Sequence, residues 1–205
     1  MANALIYRAP WVLPIAQPPF RNGWVAVDSG RISGVGGSAD LPAGGGVVGV
    51  DGAIMPGLVN AHTHLELSWM RGQVPPAPSM PQWVERLMAL RRTVGHEPAE
   101  PILEAIREAR ASGTTLFGDI TNTFAAYEPL FESEMSAAVF RELLGFDVQD
   151  PALPVAAVVQ QIAGLRPNPK LRPSIVPHAP YSVAPSLMRA IAEASRGSRI
   201  SMHVG

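Results

Sequence analysis

The feature that most restricts what this chain can fold into is a change of rhythm near Met55. From there on, short apolar runs alternate with segments of helical periodicity. Strands are expected over residues 54–60, 114–119, 137–144, 171–177 and 199–204. Helices are expected over 81–93, 99–112, 127–133, 151–165 and 185–195. Pro81 suits a first helical turn, and Val84, Leu87, Met88 and Arg91 recur at spacings of three and four. Gly113 stands where a helix-terminating glycine belongs. Five strands with helical crossovers argue for parallel strands in an α/β fold. The runs TTLFGDI and RISMHVG are nearly continuous in apolar residues, as expected of strands covered on both faces.

Before Met55 the pattern is different. Candidate strands over 4–8, 23–28, 31–35 and 47–54 are separated by a hairpin signal, Asp28-Ser29-Gly30, and a small-residue loop over 38–46. Two domains are therefore expected: 1–54, part of a small β domain, and 55–205, a run of β/α units. A closed eight-unit barrel needs roughly 250 residues. Five units would leave an apolar parallel edge unpaired. The 205 residues are thus expected to be the N-terminal part of a longer protein, with a five-stranded open sheet as the alternative.

Composition narrows the partners. Charge is balanced, 16 Lys+Arg against 17 Asp+Glu, and there is no basic run to clamp phosphates, so nucleic acid is not an expected partner. With no cysteine, a metal must be held by His, Asp, Glu or a modified Lys. The N-terminus lacks signal-peptide features, and no apolar run of roughly 18 residues is present, so a cytoplasmic location with no membrane partner is expected.

The polar residues worth singling out fall at the C-terminal ends of expected strands. His62 and His64 follow the first, Asp119 closes the second, Arg141 and Glu142 lie on the third, His178 follows the fourth and His203 ends the fifth. In parallel α/β folds sites form at that edge. On extended backbone His62 and His64 point to one side. Two imidazoles can then share one cation, with His203 as a third nitrogen and a position left for water. A bound divalent metal lowers the pKa of that water toward neutrality. Each residue has a plainer reading. An HxH pair is often incidental, but here it follows the apolar run IMPGLVN. His203 reads also as a core histidine, His178 as a loop histidine, His96 as solvated and Asp119 as a partner of neighbouring backbone. Glu66 reads also as a cap, Arg141 as half of a structural ion pair, and Trp69 and Trp83 as packing residues.

Together these residues form a pattern. MPGLVNAHTHLELS resembles the first metal-binding strand of the amidohydrolase superfamily, SIVPHAPYSVAPSLM resembles the HxPY segment of its deaminase and chlorohydrolase branch, and ISMHVG resembles that branch's fifth strand. The resemblance implies the N-terminal part of a (β/α)8 TIM-like barrel preceded by a small β-sandwich segment. It implies one divalent metal, zinc first and iron second, on His62, His64 and His203. It implies a catalytic, substrate-contacting role for His178. No lysine ends strand four, since Lys170 precedes it, and this disfavours two-metal subtypes. A proton-shuttling glutamate at position 206, a later histidine and a metal-binding aspartate are expected beyond Gly205, so these residues alone are expected to be inactive.

The implied reaction is hydrolytic deamination, in which hydroxide formed at the metal attacks an amidine-like carbon and ammonia leaves. HTHLELSWMRG and PQWVERLMALRR look most like aminodeoxyfutalosine deaminases of menaquinone biosynthesis, which makes 6-amino-6-deoxyfutalosine the first substrate choice. Glu66 is then expected on ribose hydroxyls, Arg141 on the substrate carboxylate and Trp83 near the substrate. Adenosylhomocysteine/methylthioadenosine deaminase, guanine deaminase and triazine chlorohydrolase share the scaffold and are alternatives. An inactive barrel that binds a metal or ligand without turnover is an alternative of another class. The expected partner is a small nucleoside-like molecule, and a homo-oligomer is left open.

Overall fold

The computed structural model describes residues 4–94 and 97–204, so His96 lies outside the described residues. The chain divides between Gly57 and Leu58 into two compact units. Among the described residues no helix is long and apolar enough to cross a membrane.

The first unit is a five-stranded sheet: β1 (Leu5–Val12), β2 (Phe20–Asp28), β3 (Arg31–Gly36), β4 (Gly46–Gly49) and β5 (Ala53–Ile54). β1–β2 and β2–β3 are antiparallel, and β4 and β5 both run parallel to β1. The expected hairpin forms, with Ser29 at φ 51° and Gly30 at φ 74°, the two positive angles that match a turn to strand twist. The single strand expected over 47–54 is two, interrupted near Gly52, whose φ of 119° is closed to other residues. Ile6, Trp24 and Ala26 pack together, and the Trp24 indole N–H donates to the Gly37 carbonyl at 2.8 Å.

The second unit contains β6 (Leu58–Thr63), α1 (Met80–Arg91), α2 (Ala99–Ala111), β7 (Thr114–Thr121), α3 (Tyr127–Glu132), β8 (Ser136–Leu143), α4 (Ala152–Ala163), β9 (Leu171–Pro177) and α5 (Pro185–Ala194). The strands pair in sequence order, β6-β7-β8-β9, all parallel. This is the expected α/β alternation, four strands of a partial barrel rather than a closed one. Ile102, Ile106 and Leu130 pack on Phe117 and Val139 on one face. Val155, Val158, Leu187 and Ile191 pack around Ile175. Ile120, Phe140 and Val176 form a separate cluster on the opposite face. Fully burying each such side chain contributes about 1.5–3 kcal/mol. Gly113 ends α2 at φ 93°, as expected. α1 differs from expectation: none of its residues is buried, and Val84 and Met88 of its apolar stripe are exposed.

The expected fifth strand, residues 199–204, does not form a ladder. His203 N donates to the His178 carbonyl at 2.8 Å, and the Arg199 carbonyl accepts from the Ser174 hydroxyl at 2.9 Å. The reason lies in β9. His178 N donates to Leu143 of β8, so strand alternation aims the amides of 172, 174 and 176 the same way. Positions 173, 175 and 177 face the open edge, and two of them are proline, which has no N–H.

Two compensating irregularities mark the β6–β7 pairing. Leu58 pairs with Thr114 and Val59 with Leu116, an extra residue in β7, and Asn60 pairs with Phe117 and Thr63 with Asp119, an extra residue in β6. At the second, the Ala61 carbonyl lies in the space that a Cβ on Gly118 would occupy. Gly118→Ala should therefore lower unfolding free energy by about 3 kcal/mol through overpacking against backbone. Gly49→Ala, where an added Cβ meets nothing within 4 Å, should stay within about 0.5 kcal/mol. Urea denaturation of both variants checks this; equal midpoints would refute the steric account.

Candidate metal centre

Because Thr63 stands opposite Asp119, the flanking His62 and His64 are turned to the Gly118 and Ile120 side of the sheet. That is also the side of Phe140, Glu142, Val176 and His178, since Glu142 pairs with Val176. His203 arrives beside His178 through its backbone bond to that residue's carbonyl. The ring centroids are 5.3 Å apart for His62–His64, 4.6 Å for His62–His203, 5.7 Å for His64–His203 and 4.9 Å for His178–His203. One nitrogen from each of His62, His64 and His203 lies within 4.8 Å of the other two. Small side-chain rotations bring such a set to the roughly 2 Å bonds of a transition-metal ion.

The donors suit such an ion chemically. Burial, then the neighbouring His203, lowers the pKa of His62, against a smaller opposing pull from Glu142. Burial likewise lowers His64, with Glu142 opposing. Both rings are thereby held neutral, the form that offers a lone pair. His203 Nε2 is buried and has no hydrogen-bond partner among the described residues, as expected of a nitrogen reserved for a ligand.

His178 is oriented by Ser182. Its Nδ1 lies 2.6 Å from the Ser182 hydroxyl, which itself donates to the Ala179 carbonyl at 3.3 Å. That hydroxyl has a single proton, so it accepts from Nδ1–H, and Nε2 is left as the ring's lone pair.

Two further sequence candidates are placed elsewhere. Arg141 alternates with Glu142 and so faces the Ala137 and Val139 side of β8, away from the histidines. Its Nη1 donates to the Glu142 carbonyl at 2.6 Å and its Nε is buried without a partner among the described residues. Burial lowers its pKa, opposed by Glu66 and Glu142 at a distance. The structural ion pair expected of it does not form among the described residues. Trp83 is 37% exposed on α1 and lines a separate surface cavity with Val74 and Pro76.

Glu66 takes a part that sequence reading did not assign. It has no exposed surface, and every approach to its carboxylate is by a donor from the same unit. Arg91 Nη2 donates at 2.7 Å, the Thr121 hydroxyl at 2.5 Å, the Asn122 amide at 3.0 Å, and Thr123 through its amide at 3.2 Å and its hydroxyl at 2.9 Å. Burial pushes Glu66 up, but the bonds from Thr121, Asn122 and Thr123 and the Arg91 charge outweigh it and hold the carboxyl below its ordinary range. The chain of contacts continues outward. Arg91 Nη1 donates to Asn122 Oδ1 at 2.8 Å, Asn122 Nδ2 donates to Glu142 Oε1 at 2.9 Å, and Glu142 Oε2 lies 3.9 Å from His203 Nε2. Arg91, Asn122 and Ser182 were not singled out from sequence. The signal for Asn122 was the polar run Thr121-Asn122-Thr123 directly after an apolar strand.

A scan against family profiles matches residues 53–205 to the Amidohydrolase family. The chain belongs to the amidohydrolase family. It is 28% identical over 206 residues to the 5-methylthioadenosine/S-adenosylhomocysteine deaminase of Moorella thermoacetica, covering 94% of this chain and 47% of that one. Among solved structures it is similar to Helicobacter pylori aminofutalosine deaminase in complex with methylthio-coformycin, with TM-score 0.83 at 23% identity over 97% of this chain and 50% of that one. It is also similar to an adenosine deaminase from Xanthomonas campestris with bound zinc, with TM-score 0.77 at 24% identity, covering 97% and 48%. This amidohydrolase chain thus spans about half the length of the relatives it matches.

Two predictions follow from the buried carboxyls, both for metal-free protein. Glu66→Ala leaves the donors of Thr121, Asn122 and Thr123 without their acceptor and leaves Arg91 with Glu97 as its remaining carboxylate, so it should cost about 3 kcal/mol of unfolding free energy, read from urea midpoints. Asp119 is buried completely, and burial, only partly offset by the Leu65 amide at 2.9 Å, raises its pKa to about 8. The folded state then holds a proton that the unfolded state releases, so stability should fall as pH rises from about 4 to about 8. Asp119→Asn keeps an acceptor for Leu65 and should flatten that decline. An unchanged pH slope in Asp119→Asn would contradict the assignment.

Proposed function

We propose that the intact protein is a metal-dependent hydrolytic deaminase of adenine-type nucleosides. The observation that carries this reading is the convergence of His62, His64 and His203 within 4.8 Å at the C-terminal edge of the parallel strands of an amidohydrolase chain. On this reading those three histidines hold one divalent ion, zinc first and iron second. When bound, such an ion supplies Lewis acidity at neutral pH. His178, fixed by Ser182, presents Nε2 to accept a hydrogen bond from a water or substrate hydroxyl beside His203. Glu142, held by Asn122, presents a buried carboxylate oxygen to the same space and can accept from an amino group or a ring N–H.

For the substrate we propose 6-amino-6-deoxyfutalosine, in menaquinone biosynthesis. The wording HTHLELSWMRG and the likeness in fold to the aminofutalosine deaminase support it. The second reading is 5-methylthioadenosine or S-adenosylhomocysteine, favoured by the names of the relatives at 27–28% identity. The test is ammonia release by the intact protein from a panel of these nucleosides, with adenosine and guanine included. His62→Ala should abolish release while the far-UV circular dichroism spectrum stays unchanged. Full turnover in exhaustively metal-free protein, or tight nucleoside binding with no ammonia from any substrate, would overturn the proposal.

A further inference from the structure

The three-histidine set is not the sole group of donors at this edge. Glu142, His178 and His203 also bring one ligand atom each within 4.8 Å of one another. Several features make this second set more than a chance grouping. Glu142 is only 5% exposed, and a buried carboxylate is stable where something cationic or a donor meets it. Asn122 satisfies Oε1 at 2.9 Å and leaves Oε2 pointing toward His203 Nε2 at 3.9 Å, longer than a hydrogen bond. His203 Nε2 is itself buried and unpartnered among the described residues. The Nδ1–H of His178 is committed to Ser182, which leaves Nε2 with the lone pair that a cation needs. A ligating histidine almost always donates its other ring N–H in this way. The carboxylate has its own support, since Arg91 orients Asn122 at 2.8 Å and Glu66 holds Arg91 at 2.7 Å.

We infer that the strand-end histidines form two overlapping cation positions, one of three nitrogens on His62, His64 and His203 and one of a carboxylate and two nitrogens on Glu142, His178 and His203. Both positions use His203, so they hold one divalent ion in either of two places. The oxygen donor makes the second place the better one for harder ions such as Mn2+, and the all-nitrogen place the better one for Zn2+ or Co2+. The inference rests on ligand geometry and not on the deaminase reading.

Direct metal titration of the intact protein tests it without an activity assay. In the His62→Ala/His64→Ala double variant, Co2+ titration followed by its visible absorption should still give one ion per chain. Adding Glu142→Gln to that background should weaken binding by about tenfold or more, and Ser182→Ala by about tenfold. Glu142→Gln alone should lower the affinity for Mn2+ more than for Zn2+. If the double variant is not folded by circular dichroism, His62→Gln/His64→Gln takes its place, and the Mn2+ against Zn2+ comparison in Glu142→Gln is read independently. The inference is overturned if the double variant binds no Co2+, if its affinity is indifferent to Glu142→Gln, or if Glu142→Gln leaves Mn2+ binding unchanged. Failure of ammonia release would leave these outcomes as they are.

Discussion

A carboxylate with no exposed surface is the interaction on which the rest of the strand edge depends. Glu66 sits two residues after His64 of the HTH run, and burying its charge costs several kcal/mol unless donors surround it. Arg91 from α1 and Thr121, Asn122 and Thr123 from the end of β7 supply them. Satisfying that one charge therefore fixes three elements against each other. It also sets the ends of Asn122, which accepts from Arg91 and donates to Glu142. The orientation of the carboxylate beside His203 is thus inherited from a residue two positions beyond His64.

The histidines depend on a second, steric constraint. The register of Leu58 with Thr114 is recovered at Thr63 with Asp119, after one extra residue in β7 and then one in β6. That register turns His62 and His64 to the Glu142 face, and Gly118 makes room for the Ala61 carbonyl. Function in a fold of this kind lies in the side chains at the strand ends and not in the scaffold. Here the register of β6 against β7 decides which side chains reach those ends together.

Much of this was legible from sequence. The alternation after Met55 located four parallel strands and five helices, Gly113 marked a helix end, Asp28-Ser29-Gly30 marked a hairpin, and the spacing of His62 and His64 with a later His203 marked the cluster. Other features were not. β7 runs to Thr121 rather than Asp119, which brings Asn122 to the edge. The two prolines of RPSIVPH, four residues apart and so on one side of the strand, argued against a paired neighbour at 199–204, but only once the side to which those positions' amides would point was known. Arg141 and Glu142 are adjacent and both charged, and neither identity says which of them faces inward.

The sequence by itself determined the order of elements, the parallel arrangement and the residue types able to hold a cation, because these follow from hydrophobic period and from the chemistry of imidazole. Tertiary structure decided which polar residues share a face and which are consumed in holding the fold. Glu66 was read as a substrate contact and is placed as the buried anchor of a network, while Glu142 stands with the histidines. Face and burial depend on register, and the register of β6 against β7 is a property of the pairing that local sequence preference does not specify.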